Sequence, residues 1–279
     1  MHIIKHVHLL KDELAILKKQ HKKIGFVPTM GALHQGHISL ITKANEQNDV
    51  SVCSIFVNPT QFNNKADLQK YPITTEADIE LLTQVNCSIL FLPTEAEMYP
   101  QGYLPPQYKL GYIETILEGK YRAGHFEGVC IIVDKLLQAV MPDVLYLGQK
   151  DYQQCMVIKK MMDSKPYGIR LTICETVREP DGLAMSSRNK RLTAEERVKA
   201  TKIIQTLRYI QMNKHLGTVS EVVKKATSYL VANGFVVDYV AVADANTLKP
   251  ITYWNKKKKP VALVAAYLNE VRLIDNITL

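Results

Sequence analysis

Through the first two-thirds of this 279-residue chain, short apolar runs rich in β-branched residues alternate with longer amphipathic stretches. That rhythm is the strongest constraint on what the chain folds into. The runs at 24–29, 50–57, 88–92, 144–148 and 169–176 are strand-sized. The stretches at 37–47, 75–85, 126–140 and 152–162 carry apolar residues at helical spacing. Strand and helix in alternation predict a parallel sheet of Rossmann-like α/β type, with helices on both faces. In such sheets ligands bind beyond the carboxyl ends of the strands. The segments just after the apolar runs are therefore where chemistry is expected.

The pattern changes after Thr176. The segment 178–189 is polar and rich in turn formers, and Thr193-Ala-Glu-Glu196 then reads as a capping box opening a helix whose apolar face is Ile203, Leu207 and Ile210. A second helix over 219–233 stops at Gly234, and strand-like runs follow at 236–242, 261–268 and 271–275. This predicts a smaller α+β domain with antiparallel strands. The expected division is a Rossmann-like domain over 1–176 and a smaller C-terminal α+β lid domain over 177–279. The segment 93–124 is rich in Pro, Gly and Tyr and reads as irregular structure or a subunit contact. There is no internal repeat.

Composition narrows the function class. At 47% hydrophobic the chain can bury a core. No apolar run approaches a membrane span, and the N-terminal stretch mixes apolar residues with charge, unlike a signal peptide. Cys53, Cys87, Cys130, Cys155 and Cys174 are scattered and form no C-x-x-C, as expected of reduced core residues in a cytoplasmic protein. The net charge of +8 suits an anionic substrate or nucleic acid. The run Lys256–Lys259 has no interleaved aromatics and no accompanying nucleic-acid motif, so it reads as a solvated turn between strands. Neither nucleic acid nor membrane is expected as a partner, and a basic RNA-binding module is the non-enzyme alternative.

Four strand-end segments carry candidate chemistry. In Thr29-Met-Gly-Ala-Leu-His34-Gln-Gly36-His37 two histidines flank a glycine where a strand hands over to a helix. The helix N-terminus offers free N–H groups and partial positive charge, Gly36 permits close approach of a ligand, and the imidazoles can donate to phosphate oxygens. A plain tight turn with two surface histidines is the competing reading. Zinc fits less well, because no Glu or Cys lies nearby in sequence to complete a coordination sphere. In Gly148-Gln-Lys-Asp-Tyr-Gln-Gln154, Lys150 could reach a phosphate, while Asp151 could cap the following helix or orient a ribose. Met185-Ser-Ser-Arg188 joins two hydroxyls to a guanidinium suited to phosphate. In Asn58-Pro-Thr-Gln-Phe62 the proline rigidifies a turn that holds Gln61 near the sheet edge. No G-x-G-x-x-G and no P-loop is present.

Together with Tyr121-Arg-Ala-Gly-His-Phe126, Asp181-Gly-Leu-Ala-Met-Ser-Ser-Arg-Asn189 and Arg272-Leu-Ile-Asp-Asn276, these segments resemble the pantoate–β-alanine ligase (pantothenate synthetase) family over nearly the whole chain. The H-x-G-H alone marks only a broad nucleotidylyl-transferase superfamily. The resemblance implies ATP-dependent ligation of pantoate and β-alanine to pantothenate, through a pantoyl adenylate, with release of AMP and pyrophosphate. It implies an ATP site of Met30, Gly31, Ala32, Leu33, His34, Gln35, Gly36 and His37, completed by Gly148, Gln149, Lys150, Asp151, Val177, Met185, Ser186, Ser187 and Arg188. His37 would be the proton donor, and His34, Lys150 and Arg188 would share the catalytic work. Gln61 and Gln154 would bind pantoate, Gln61 would also lie by β-alanine, and Arg122 would stand near the reacting groups. The resemblance further implies a homodimer and a need for Mg²⁺, with the metal ligands left open. Ile73, Arg191 and Asn269 depart from the family pattern, where a basic residue, an aromatic residue and a glycine are expected. A nucleotidylyltransferase acting on a phosphorylated acceptor is the alternative enzyme, but it leaves Asn58-Pro-Thr-Gln-Phe62 without a task.

Overall fold

The computed structural model describes residues 1–63, 65–255 and 259–279. Its main sheet has six parallel strands: β1 (His2–Ile4), β2 (Ile24–Thr29), β3 (Val50–Ile55), β4 (Ile89–Phe91), β5 (Val144–Gly148) and β6 (Arg170–Cys174). Across the sheet they run β1-β4-β3-β2-β5-β6. From β2 the chain steps outward through β3 and β4, then returns to the other side of β2 for β5 and β6. The reversal falls between β2 and β5, which is the topological switch point of the sheet.

The two strands part there. β2 pairs with β3 all the way to Thr29↔Ile55, but its register with β5 covers only Gly25↔Val144 and Phe26↔Leu145. Pro28 follows and has no N–H to give to a ladder. The carboxyl ends of β2 and β5 thus diverge into a crevice.

Both faces of the sheet are covered, which is why β2 and β3 read as nearly continuous apolar runs. Helices Val7–Lys19, His125–Val140 and Tyr152–Asp163 contribute to the core that includes Leu10, Phe26, Leu137 and Ile158. Helices Gln35–Gln47 and Thr75–Gln84 contribute to a second cluster that includes Val27, Ile41, Leu82 and Tyr146. Each such side chain, fully buried, contributes roughly 1.5–3 kcal/mol.

A second sheet of β7 (Val236–Asp244), β8 (Pro260–Leu268) and β9 (Val271–Thr278) is antiparallel in the order β7-β8-β9. Helices Lys202–Met212 and Val219–Ala232 share a core with this sheet, Ile203, Leu207 and Leu230 clustering with Val264, Ala266 and Leu273. Val261 and Leu263 belong instead to the core of the main sheet. β8 is therefore buried on both sides, and its run is unbroken.

The expected fold class is what the chain adopts, with shifts at element ends. The run at 50–57 ends as strand at Ile55 and that at 169–176 at Cys174, because the remaining residues turn into the crevice. The helix expected at 37–47 begins at Gln35, since His34 rather than a later residue caps it. The Thr193 box is present, Thr193 accepting from the Glu196 N–H at 3.2 Å and Glu196 accepting from the Thr193 N–H at 2.8 Å. The helix it opens is Ala194–Ala200, and Ile203, Leu207 and Ile210 lie on a separate helix beginning after Thr201. The segment 93–124 contains the short helical turns Glu95–Met98, Gly111–Glu114 and Glu118–Tyr121. Residues 256–258 of the lysine run lie outside the described residues.

All five cysteines are buried and free. Burial pushes their thiols upward, Cys130 to about 12. Among the described residues, no helix is long and apolar enough to cross a membrane.

Candidate active site

The divergence of β2 and β5 opens a cavity lined by strand-end segments from across the chain. Its wall includes Met30, His34, Gly36 and His37 after β2, Gln61 after β3, Gly148, Lys150, Asp151 and Gln154 after β5, and Val177, Met185, Ser186, Ser187 and Arg188 after β6. Arg122 completes the ring. Gly31, Ala32, Leu33, Gln35 and Gln149 of the expected ATP site are not part of that lining.

Gly31 and Ala32 have φ of 79° and 49°, so the chain turns sharply after Met30. The Asp78 carboxylate, buried on helix Thr75–Gln84, takes the Ala32 and Leu33 N–H groups at 2.9 and 2.8 Å. Those two donors are spent inside the protein. What the turn presents to the cavity is the pair of imidazoles.

The H-x-G-H motif is a capping box built from histidines. His34 Nδ1 accepts from the Gly36 N–H at 3.1 Å, and His37 Nδ1 accepts from the His34 N–H at 3.3 Å. Burial is the main cause holding His34 down to about 4 and His37 to about 3, with Lys150 adding to both and His34 to His37. Both rings are neutral near pH 7, and with each Nδ1 accepting, each proton sits on Nε2. The motif therefore offers two uncharged Nε2–H donors, their ring centroids 4.1 Å apart. A neutral His37 presents its Nε2–H to the cavity as a hydrogen-bond donor. A Cβ on Gly36 would come within 2.9 Å of the His34 ring, so the glycine makes room for this internal cap.

The segment after β5 forms a short turn, Gln149–Asp151. Lys150 Nζ lies 3.2 Å from both Asp151 oxygens. Asp151 occupies the N-cap position of helix Tyr152–Asp163 but makes no capping bond, so the expected cap is replaced by an ion pair. Burial alone would raise the Asp151 carboxyl, but Lys150, Arg188 and Arg122 outweigh it and hold it below its ordinary value. From β9, Asn276 Nδ2 donates to the Gln149 and Lys150 carbonyls at 2.9 Å each, and Gln149 Nε2 donates to Asn276 Oδ1 at 3.2 Å. Gln149 thus serves the turn's anchorage. The two adjacent glutamines also divide. Gln153 is buried and binds the Glu118 N–H and the Ile113 and Ile116 carbonyls, while Gln154 faces the cavity.

Arg188 is held at 2.9 Å by Asp67, which Arg191 also contacts at 3.3 Å. Ser186 accepts from the Arg188 N–H at 3.3 Å, and Ser187 Oγ lies 3.5 Å from the Tyr71 hydroxyl. Arg178, just beyond Val177, makes a bidentate pair with Asp275 at 2.6 and 3.1 Å.

Gln61 sits on the turn Pro59–Gln61, with its Nε2 in contact with Met30 Sδ at 2.7 Å. Asn58, 1% exposed, donates to the Gly128 carbonyl at 3.2 Å and accepts from Tyr99 Oη at 2.6 Å. Sequence reading gave no role to Asn58, Asp67, Tyr71, Asp78, His125 or Thr176. Thr176 ends in the cavity wall with a buried hydroxyl that has no hydrogen-bond partner among the described residues, a donor open to a ligand. Asn58 and His125 lie inside motifs that the sequence does mark, while Asp67, Tyr71, Asp78 and Thr176 stand where no local pattern sets them apart.

No group of three or more His, Cys, Asp and Glu side chains that could hold a metal occurs among the described residues. The carboxylates in the cavity wall are Asp151 and Glu175. A Mg²⁺ carried by triphosphate needs only one or two protein oxygens, and the ionised Asp151 fits that demand.

The Pantoate-beta-alanine ligase family model matches residues 2–278. The chain is 45% identical to pantothenate synthetase of Bacteroides fragilis over 278 residues, covering 98% of each chain. It is also 45% identical to that of Bacteroides thetaiotaomicron over 280 residues, again with 98% of each covered. Its fold is similar to the crystal structure of pantothenate synthetase from Thermus thermophilus, with a TM-score of 0.92, 37% identity and 99% of each chain covered. It is also similar to pantoate-beta-alanine ligase from Francisella tularensis complexed with beta-gamma ATP and beta-alanine, with a TM-score of 0.82, 42% identity, and 100% and 97% coverage.

Proposed function

The chain belongs to the pantoate–β-alanine ligase family and is an ATP-dependent ligase of pantothenate biosynthesis, and we propose that its switch-point cavity performs the reaction in two steps. In the first, the pantoate carboxylate attacks the α-phosphorus of ATP and pyrophosphate leaves. In the second, the β-alanine amine attacks the resulting pantoyl adenylate and AMP leaves. One observation carries this assignment: neutral Nε2–H donors, the three cations Arg122, Lys150 and Arg188, and the amide side chains of Gln61 and Gln154 line a single cavity.

The first step spreads negative charge over phosphate oxygens, so preorganised donors lower its barrier. His34 and His37 donate hydrogen bonds to those oxygens without repelling Lys150 and Arg188. Ser186, Ser187 and the Thr176 hydroxyl add donors, and Val177 and Met185 supply apolar wall for the nucleoside. Asp151 would hold Mg²⁺ beside the phosphates, and that ion would neutralise charge on their oxygens. Gln61 and Gln154 offer both donors and acceptors to pantoate hydroxyls. In the second step the mixed anhydride is already activated, so orientation of the amine suffices.

Residues 1–176 are read as the ATP- and pantoate-binding domain and 177–279 as the lid that brings Ser186–Arg188 and Asn276. Homodimer formation is the expected assembly, which ultracentrifugation tests. The buried free thiols support a cytoplasmic setting. The decisive assay is pyrophosphate release with pantoate and β-alanine each omitted in turn. Labelled pyrophosphate should exchange into ATP with pantoate alone. Exchange that requires β-alanine would rule out a free adenylate step.

A further inference from the structure

His125 opens helix His125–Val140 at the cavity wall and is 5% exposed, yet neither of its ring nitrogens is open to a substrate. Nδ1 lies 2.8 Å from the Gln61 carbonyl oxygen, and Nε2 lies 3.0 Å from Arg122 Nη1. A carbonyl only accepts, so Nδ1 carries the hydrogen. A guanidinium only donates, so Nε2 presents its lone pair. Both contacts select one species, the neutral Nδ1–H tautomer. His34 and His37, in the same cavity, are fixed as the opposite tautomer.

The ring joins two pieces of the pocket that no other side chain connects among the described contacts. Gln61 ends the turn after β3, and Arg122 ends the helix Glu118–Tyr121. Asn58 and the bare Cα of Gly128 also seat the Gln61 turn on the helix, but neither reaches Arg122. Glu118 lies 3.7 Å from Arg122 on the far side and is itself engaged by Arg272. We infer that His125 is a positioning residue of the ligase, which sets the Arg122 guanidinium against the Gln61 turn through one imidazole acting as donor at Nδ1 and acceptor at Nε2. This deepens the ligase reading and rests on its placement of Gln61 and Arg122 in the substrate pocket. Burial, with Arg122 adding to it, holds the ring down to about 4, which agrees with the species the geometry selects.

Amide side chains separate the two arms. In His125→Asn the Nδ2–H stands in for Nδ1–H, and nothing reaches the Nε2 position. In His125→Gln the carbonyl oxygen reaches toward Arg122, and Gln61 loses its donor. His125→Phe keeps the ring and loses both. His125→Phe should lower kcat/KM for pantoate by about tenfold or more, as expected for losing a hydrogen bond to a charged group. The KM for ATP should stay within about twofold in all three variants, which a general structural defect would not permit. His125→Asn combined with Arg122→Ala should lose no more than Arg122→Ala alone, whereas the effects of His125→Gln and Arg122→Ala should multiply. Pantoate kinetics of His125→Phe matching wild type, or multiplying effects for the Asn pair, would overturn the inference. The ¹⁵N shifts of His125 in the intact protein should report protonated Nδ1 and bare Nε2, and the reverse tautomer would also overturn it. That measurement needs no turnover. A wild-type chain that makes no pantothenate would sink the ligase reading, while the ring's tautomer still decides this one.

Discussion

At the scale of single residues, the site works with neutral donors beside paired cations. His37→Ala and Lys150→Ala should each lower the rate of adenylate formation about 10²-fold or more, the usual cost of deleting a preorganised donor. Single-turnover rates near wild type in both would remove them from the reaction. The same histidines make stability depend on pH. Their folded values lie at about 4 and about 3, below the ordinary 6.5, so the unfolded chain binds more protons in between. Stability should be intact above about pH 6.5 and fall steadily as pH drops toward 4 and below. Urea midpoints measured from pH 7 to pH 4 should show this slope, and His37→Gln should flatten it. A midpoint that rises on acidification over that range would contradict the neutral assignment.

At the scale of elements, the turn after β3 depends on how closely the helix His125–Val140 lets it approach. A Cβ on Gly128 would stand 2.3 Å from the Thr60 carbonyl oxygen and 2.8 Å from Gln61 Cα. Gly128→Ala should therefore displace Gln61, destabilise the fold by about 1–3 kcal/mol and raise the KM for pantoate. Unchanged pantoate binding would show that the turn reaches its place by other contacts. Sequence periodicity located the strand β2, the loop holding His34 and His37 and the loop holding Lys150, because apolar spacing and turn residues are local signals. It gave no sign of Asp78 under the Ala32 and Leu33 N–H groups, because that contact joins distant parts of the chain. The strand β1 and helix Val7–Lys19 were missed for a different reason. β1 is a three-residue edge strand, too short to show a period. The helix does carry an apolar stripe, Val7, Leu10, Leu14 and Leu17 at spacings of three and four, but it lies ahead of the strand-and-helix alternation beginning at residue 24. Arg191, which departs from the family pattern, takes a second hold on Asp67 beside Arg188.

At the scale of the molecule, a charged latch joins the small sheet to the main body. Arg272 on β9 makes a bidentate pair with Glu118 at 2.7 and 2.8 Å and a further bond to Asp238 at 2.8 Å, and Tyr239 donates to Glu118 at 2.8 Å. Arg272→Met leaves the Glu118 carboxylate buried without its main partner and should cost about 3–5 kcal/mol. Adding Glu118→Gln should recover much of that loss, as read from thermal or urea melts. Equal melts for the single and double variants would show that the pair acts independently. The sealed thiols have a consequence of their own. A maleimide added to the native protein finds no accessible sulfhydryl, so every labelled molecule marks one that has opened. The labelling rate is then a clock for unfolding, and any nucleotide or acid that slows it declares itself a ligand without an activity assay.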